Sequence, residues 1–341
     1  MDWTVVLDIL TSGRDLTRQE ARDAMTEIMK GRADPAQVAA FVVALRMKGE
    51  SVEEMIGLVE ALRSAAVPVP LDDPGRLVDI VGTGGDRSNT FNISTTAALI
   101  AAGAGAVVAK HGNRAASSRC GSADVLEELG VVIDLDPVAM ATLVNEERFG
   151  FFFAPRYHPA MRHAGPVRKA LGIPTVFNVL GPLANPAGAR RYALGVADQA
   201  MAERMIRVLA TLGAETAFVV HGEDGLDEVT TTGPTHIFRL RDGEVTHAEF
   251  TPEDFGVERS RAEDLLGGDV ADNARILRGV LEGRTGACRD AAVINAAVGI
   301  VAGGIAEGFG EGVEAAQRAI DSGAAADVLK RVVERSQELA G

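Results

Sequence analysis

The sequence predicts an α/β protein built as a small all-helical N-terminal domain plus a larger α/β domain with a mostly parallel central sheet. Three observations carry this. Residues 1 to about 66 hold helix-spaced apolar residues and two capping boxes, with no strand-like run. From Arg76 onward short apolar runs alternate with helical stretches, the pattern of a parallel sheet. Where the two textures meet, the apolar run Leu77–Val81 feeds a glycine loop, Gly82-Thr83-Gly84-Gly85-Asp86, and then a helical run, Ser94–Ala104. The expected domains are 1–71 and 72–341, with part of 156–190 rejoining the helices.

Trp3, Val6, Leu7 and Leu10 follow helical spacing. Thr17 with Glu20 and Ser51 with Glu54 are capping boxes, each ahead of an apolar stripe. Asp34-Pro35 is an N-cap with proline in the first turn, and Gly31 and Gly49 are stops. These helices either pack only on each other or also bury apolar surface on a second copy. Val67 to Gly75 reads as a linker.

Gly105–Ala109, Val131–Asp134, Phe149–Ala154, Tyr192–Val196 and Thr216–His221 read as further strands. Val125–Leu129, Pro137–Glu147 and Gln199–Leu212 read as helices between them. Arg156–Asn185 is rich in His, Arg, Gly and Pro and lacks strand character. Thr235–Leu240 and Glu244–Phe250 flank Arg241-Asp242-Gly243, a hairpin signal. From Arg259 the chain is helical, with breaks near Gly267 and Gly283.

Lys+Arg is 34 and Asp+Glu is 48, a net charge of −14. Such a chain is a poor non-specific nucleic-acid binder, since that binding draws on phosphate neutralisation. The 2 cysteines exclude a disulfide framework and suit a reducing cytoplasm. The start, Met1-Asp2-Trp3, lacks a signal-type segment. Ala291–Ala306, the most apolar stretch, is shorter than the about 20 residues of a membrane span and reads as a core helix. No membrane association is expected.

A strand, a glycine turn and a helix N-terminus together form an anion cradle, because backbone N–H groups approach an oxygen closely there. The same residues also suit a plain βα turn. Ser88, Asn89, Thr90, Asn92, Ser94, Thr95 and Thr96 follow, and their hydroxyls and amides suit phosphate oxygens. Ser94 is in reach of a metal on such a phosphate, and Asp86 suits a sugar hydroxyl or metal-bound water. Lys110-His111-Gly112-Asn113-Arg114-Ala115-Ala116-Ser117-Ser118 lies at the end of the second strand and forms a second wall if the strands are neighbours. Asp227-Glu228 is a carboxylate pair of the kind Mg²⁺ takes when phosphates and waters fill its octahedron. Arg168 either clamps a substrate carboxylate or caps a helix. No zinc pattern and no nucleophile elbow is present.

Gly82–Asp86, Asn92–Thr95, Lys110–Ser118, Gly121–Asp124, Val176–Pro186 and Asp227-Glu228 occur in this order over essentially the whole chain. Together they resemble the anthranilate phosphoribosyltransferase family. The resemblance implies the nucleoside phosphorylase/phosphoribosyltransferase-like fold and a homodimer joined through the helical domains. The implied activity is transfer of a phosphoribosyl group from phosphoribosyl pyrophosphate (PRPP) to anthranilate in tryptophan biosynthesis.

Carried over by residue, Gly82, Gly85, Asp86, Thr90, Asn92, Ile93, Ser94, Thr95, Lys110, His111, Gly112, Asn113, Arg114, Ala115, Ala116, Ser117, Ser118 and Ser122 resemble the PRPP site. Gly82, Asn113 and Arg168 resemble the anthranilate contacts, and Ser94, Asp227 and Glu228 the Mg²⁺ ligands. No general base is assigned. Cys120 and Pro174 depart from the family pattern. The alternatives are a pyrimidine nucleoside phosphorylase-like enzyme and a non-catalytic nucleic-acid-binding relative, which should be basic.

Overall fold

The computed structural model describes residues 1–86, 88–115 and 119–341. Four helices open it: α1 (Trp3–Thr11), α2 (Arg18–Met29), α3 (Pro35–Lys48) and α4 (Val52–Ser64). Both expected capping boxes close, and Asp34 forms a third with Gln37. Glu54 does more than cap: its buried carboxylate accepts from the Ser51 and Leu16 amides and from Lys48 Nζ at 2.8–3.0 Å. One side chain thereby ties the starts of α2 and α4 to the end of α3. Met25, Ile28, Phe41, Leu45, Met55 and Val59 are fully buried between these helices.

The rest of the chain runs β1 (Leu77–Gly82), α5 (Ile93–Gly103), β2 (Val107–Gly112), α6 (Ser122–Glu128), α7 (Pro137–Glu147), β3 (Phe149–Phe153) and α8 (Ala154–Tyr157). Next come α9 (Gly165–Leu171), α10 (Phe177–Leu180), β4 (Arg191–Gly195), α11 (Gln199–Thr211) and β5 (Thr216–Gly222). The hairpin β6 (Thr235–Arg241) and β7 (Glu244–Phe250) precedes α12 (Val270–Leu281), α13 (Ala287–Ala302), α14 (Phe309–Asp321) and α15 (Ala324–Ala340).

Among the described residues the strands form one sheet, ordered β3-β2-β1-β4-β5-β6-β7. The first five are mutually parallel, and β6 and β7 are antiparallel. The chain winds outward from β1 through β2 to β3, then returns to the far side of β1 as β4. That reversal places a switch point at the carboxyl ends of β1 and β4, where α/β sheets bind ligands. Helices α5 and α13 pack on one face of the sheet, and α11 lies against β5 and meets α4. Helix α13 is buried from Ala291 through Ala302, as expected of a core helix. Among the described residues no helix is long and apolar enough to cross a membrane.

The expected strand at Val131–Asp134 is not one. The segment is irregular, because its amides are taken by helices instead of a strand: Val131 donates to the Leu126 carbonyl at 2.9 Å and Val132 to Ser336 Oγ at 3.0 Å. The strandless stretch after β3 folds as short helical turns against the N-terminal helices. Arg63 Nη2 donates to the Leu183 carbonyl at 2.7 Å, Arg46 bonds the Pro174 carbonyl, and α9 packs on α3. The hairpin turns at Asp242 and Gly243, both with positive φ (53° and 78°), the turn that matches strand twist.

Candidate active site

The β1–β2 register runs through Leu77–Val107 and Val78–Val108, whereas β1–β4 continues to Gly82–Gly195. The cause of the split is Asp79, a fully buried carboxylate inside an apolar strand. Its Oδ1 accepts from the His111 amide at 3.1 Å, and its Oδ2 from Asn185 Nδ2 at 2.7 Å. Asn185 also donates to the Ala109 carbonyl at 2.8 Å. Side chains therefore replace backbone pairing between β1 and β2 beyond Val78–Val108, next to the crevice at the carboxyl ends of the strands. Burial pushes the Asp79 carboxyl up to about 7, against its Asn185 bond and the Lys110 charge. In the sequence, the signal for Asp79 is a lone carboxylate within an otherwise apolar strand.

Lys110 projects from β2 into that crevice. Its Nζ donates to the Ile80 carbonyl at 2.6 Å and to Ser94 Oγ at 3.3 Å. Ser94, in the first turn of α5, donates its amide to Glu228 Oε1 at 3.1 Å. Asp227 Oδ2 accepts from the Gly84 amide at 2.6 Å. The turn after β1, the start of α5, the end of β2 and the loop after β5 thus converge. Asp227 and Glu228, remote in sequence from the glycine loop, lie against it.

Two glycines make room for Asp227. A Cβ on Gly82 would sit 2.3 Å from its Oδ2, and one on Gly195 only 1.6 Å from its backbone oxygen. Side-chain oxygen can swing away; backbone oxygen in a packed loop cannot. Gly195→Ala is therefore expected to displace the 227–228 loop, cutting activity at least about tenfold. A steady-state assay with wild-type kcat and KM for Gly195→Ala would show that the close approach is dispensable.

The charges are crowded. Burial pushes Asp227 up to about 6, helped by the nearby Asp86 charge and opposed by the Gly84 amide. Glu228 is raised well above the usual range by burial and by Asp227, with Lys110 opposing. Burial lowers Lys110, and Asp79, Glu228 and Asp227 pull it back. Ser94, Asp227, Glu228 and Asp86 offer only hard oxygen donors, which is the ligand set Mg²⁺ prefers. Crowded carboxylates with one buried ammonium between them call for added positive charge, so the residues fit such an ion.

Asp86 accepts from Ser88 Oγ at 2.6 Å, and Ser88 Oγ lies 3.4 Å from Thr90 Oγ1. Gly85 has φ 84°, a left-handed backbone that favours glycine in this turn. Asn92 Oδ1 and Thr95 Oγ1 are buried without a partner among the described residues. Ile93 is buried beneath them and anchors the helix start.

In the second loop the Asn113 carbonyl accepts from Ser122 Oγ at 3.3 Å, and Gly112 lets Ser122 and Phe151 close in. Asp124 Oδ2 accepts from the Ala115 and Gly121 amides, both at 2.9 Å, pinching the loop shut. Arg114 does not face the crevice: it pairs with Asp124 and Glu127 and stacks on Phe153. Ala116, Ser117 and Ser118 lie outside the described residues.

His111 Nδ1 is 3.0 Å from the Gly181 carbonyl, so Nδ1 carries the proton and Nε2 is an acceptor. His158 bonds the Ala184 backbone. Both Nε2 atoms are buried without a partner among the described residues, and the rings lie 5.2 Å apart. Burial lowers His111 to about 3 and His158 to about 4, so both are neutral. His158 belongs to no local sequence motif; a paired buried acceptor is a tertiary property. Arg168 sits half-buried on α9, 5.6 Å over the Phe177 ring, with no carboxylate partner among the described residues. It joins the site through Phe177, α10 and Gly181, not through a direct bond to either loop.

Residues 74–326 match the model of the glycosyl transferase family a/b domain, and residues 5–66 that of its helical bundle domain. The chain is 52% identical to an anthranilate phosphoribosyltransferase of Thermomicrobium roseum over 338 residues, covering 98% of this chain and 97% of that one. Among solved structures it is similar to anthranilate phosphoribosyltransferase from Thermus thermophilus (TM-score 0.90, 42% identity, 97% and 99% coverage). It is equally close in shape to the Saccharomyces cerevisiae enzyme in complex with PRPP and Mg (TM-score 0.90, 30% identity, 98% of each chain).

Proposed function

Because the chain belongs to the anthranilate phosphoribosyltransferase family, we infer that the crevice between β1, β2 and the 227–228 loop is its PRPP site. The chain transfers the phosphoribosyl group of PRPP to the amine of anthranilate, releasing pyrophosphate, in tryptophan biosynthesis. The observation that carries the site is the Gly84 amide on Asp227, which joins the anion loop to the acids.

The amine nitrogen forms a bond to ribose C1 as the C1–oxygen bond to pyrophosphate breaks, and the nitrogen then loses a proton. An aromatic amine is a weak nucleophile, so the transition state is loose, with positive charge on the sugar and negative charge on the leaving group. Rate comes from stabilising that leaving charge and aligning the two molecules. Gly82, Gly85, Thr90, Asn92, Ile93, Ser94 and Thr95 line the diphosphate side with backbone and hydroxyl donors, and Asp86 takes a sugar hydroxyl. Lys110, His111, Gly112, Asn113, Ala115 and Ser122 form the opposite wall, and Ala116, Ser117 and Ser118 are assigned to PRPP by the family resemblance alone. Arg114, turned outward, braces it. Ser94, Asp227 and Glu228 would hold Mg²⁺, which neutralises pyrophosphate charge when bound.

On the acceptor side, Gly82 and Asn113 flank anthranilate and Arg168 clamps its carboxylate. The neutral Nε2 atoms of His111 and His158 accept from its amine. Arg168→Ala is expected to raise the KM for anthranilate on the order of tenfold while leaving that for PRPP alone. A rise confined to PRPP would overturn the assignment.

The helical domain is residues 1–71 with part of 156–190, and the α/β domain is 72–341. Exposed Val5 on α1 and Met47 on α3 support a homodimer through the helical domain. A single-chain mass in light scattering counts against it. A cytoplasmic location accords with the 2 cysteines, and cell fractionation tests it. The deciding assay follows anthranilate fluorescence after adding PRPP and Mg²⁺: the signal disappears if the reading holds and persists if it fails.

A further inference from the structure

At the β7 edge of the sheet, β6, β7 and the start of the loop after β5 carry a second group of metal-ligating side chains. Glu223, His236 and Glu249 each bring one ligand atom within 4.8 Å of the others. Three of the chain's 6 histidines gather here, His221, His236 and His247. The arrangement follows from register. His221 pairs across β5–β6 with His236, and His236 across β6–β7 with Glu249, so the three share one row and one face. Glu223 lies two residues beyond His221, where alternation returns it to that face. Its amide donates to the Pro234 carbonyl at 3.0 Å, which fixes it to the strand start.

His236 Nδ1 is 3.3 Å from His247 Nε2, and His236 Nε2 is 3.5 Å from Glu223 Oε1. One proton must lie between the two facing ring nitrogens. With it on His236 Nδ1, the ring is held by His247, itself stacked 4.4 Å from Phe238. Nε2 then presents a lone pair towards two carboxylates. Three such lone pairs converging make a donor set that a cation can bridge. Donors of one tetrahedral ion with bonds of about 2.0–2.2 Å lie about 3.3–3.6 Å apart, and the Glu223–His236 spacing falls in that range.

We propose that Glu223, His236 and Glu249 form a binding site for one zinc-type divalent ion, with water in the fourth position. The imidazole selects a borderline metal over Mg²⁺, which takes oxygen donors. His247 is a positioning residue that holds the His236 ring, as outer groups commonly do for ligating histidines.

Calorimetric Zn²⁺ titration of the full chain, in excess Mg²⁺ near neutral pH, tests the site. The wild type takes up one equivalent of Zn²⁺. Glu249→Gln, on the exposed face of β7, and His236→Ala each weaken that uptake at least about tenfold, and His247→Phe weakens it less. Anthranilate turnover in Mg²⁺ alone stays at the wild-type level in all three. No Zn²⁺ uptake by the wild type, or equal uptake by wild type and both ligand variants, overturns the proposal. Glu249→Gln keeps the test decisive if His236→Ala disturbs the hairpin.

Discussion

Asp227→Ala combined with Glu228→Ala is expected to abolish turnover, by at least about 10³-fold, while raising the melting temperature of the metal-free protein. The loss follows if these carboxylates hold the Mg²⁺ that neutralises the leaving pyrophosphate. The gain follows from the state of the acids without it. Both are crowded with Asp86, and both have carboxyls raised by burial. A raised carboxyl means the native state holds its proton where the unfolded chain has released it. Stability therefore falls as pH rises from near 3.8, the ordinary Asp227 value, to about 6, its folded value, and stays low above that. The double variant lacks this decline, so its advantage in thermal melts should be small near pH 4 and grow as pH rises through about 6, the folded Asp227 value. A variant that keeps turnover removes the metal role. A variant that melts lower than wild type at neutral pH contradicts the electrostatic account.

Lys110→Met should act with the opposite sign on stability. The ammonium is nearly inaccessible, at 2% exposure, and faces Asp79, Glu228 and Asp227. Methionine fills the volume but leaves those acids unopposed and the Ile80 carbonyl and Ser94 hydroxyl without their donor. Breaking such a buried set costs about 3–5 kcal/mol. Turnover falls as well, because the crevice loses its central positive charge. Lys110→Arg should not rescue, since a planar guanidinium does not fit the Ile80 and Ser94 acceptors of a compact ammonium. Unchanged melting and unchanged kcat/KM in Lys110→Met would show that the amine is a bystander.

These two variants probe a site whose parts were unequally legible. The glycine loop, the Lys110 loop and the 227–228 acids were each readable, because anion cradles and metal ligands need particular residue types at short spacing. Asp79 was passed over because its strand reads as an apolar run. Arg114 read as one more cation facing the ligand, yet Asp124 and Glu127 on the following helix draw it outward. His158 had no local motif at all. Its relevance rests on a ring 5.2 Å from His111, across residues remote in sequence.

Helices were set by local rules: the caps at Thr17, Asp34 and Ser51 act within a few residues, and the observed starts agree. Strands depend on distant partners, so Val131–Asp134 has strand composition and no strand to pair with. The chain alone therefore determined its helices, the alternation that makes an α/β sheet, and the residue chemistry suited to a diphosphate and a hard metal ion. Only tertiary structure decided that β1 and β2 part around Asp79, that Gly82 and Gly195 admit Asp227, and that Glu223, His236 and Glu249 share a face. Those outcomes arise from contacts between segments remote in sequence, where register and close approach, not local preference, set the distances.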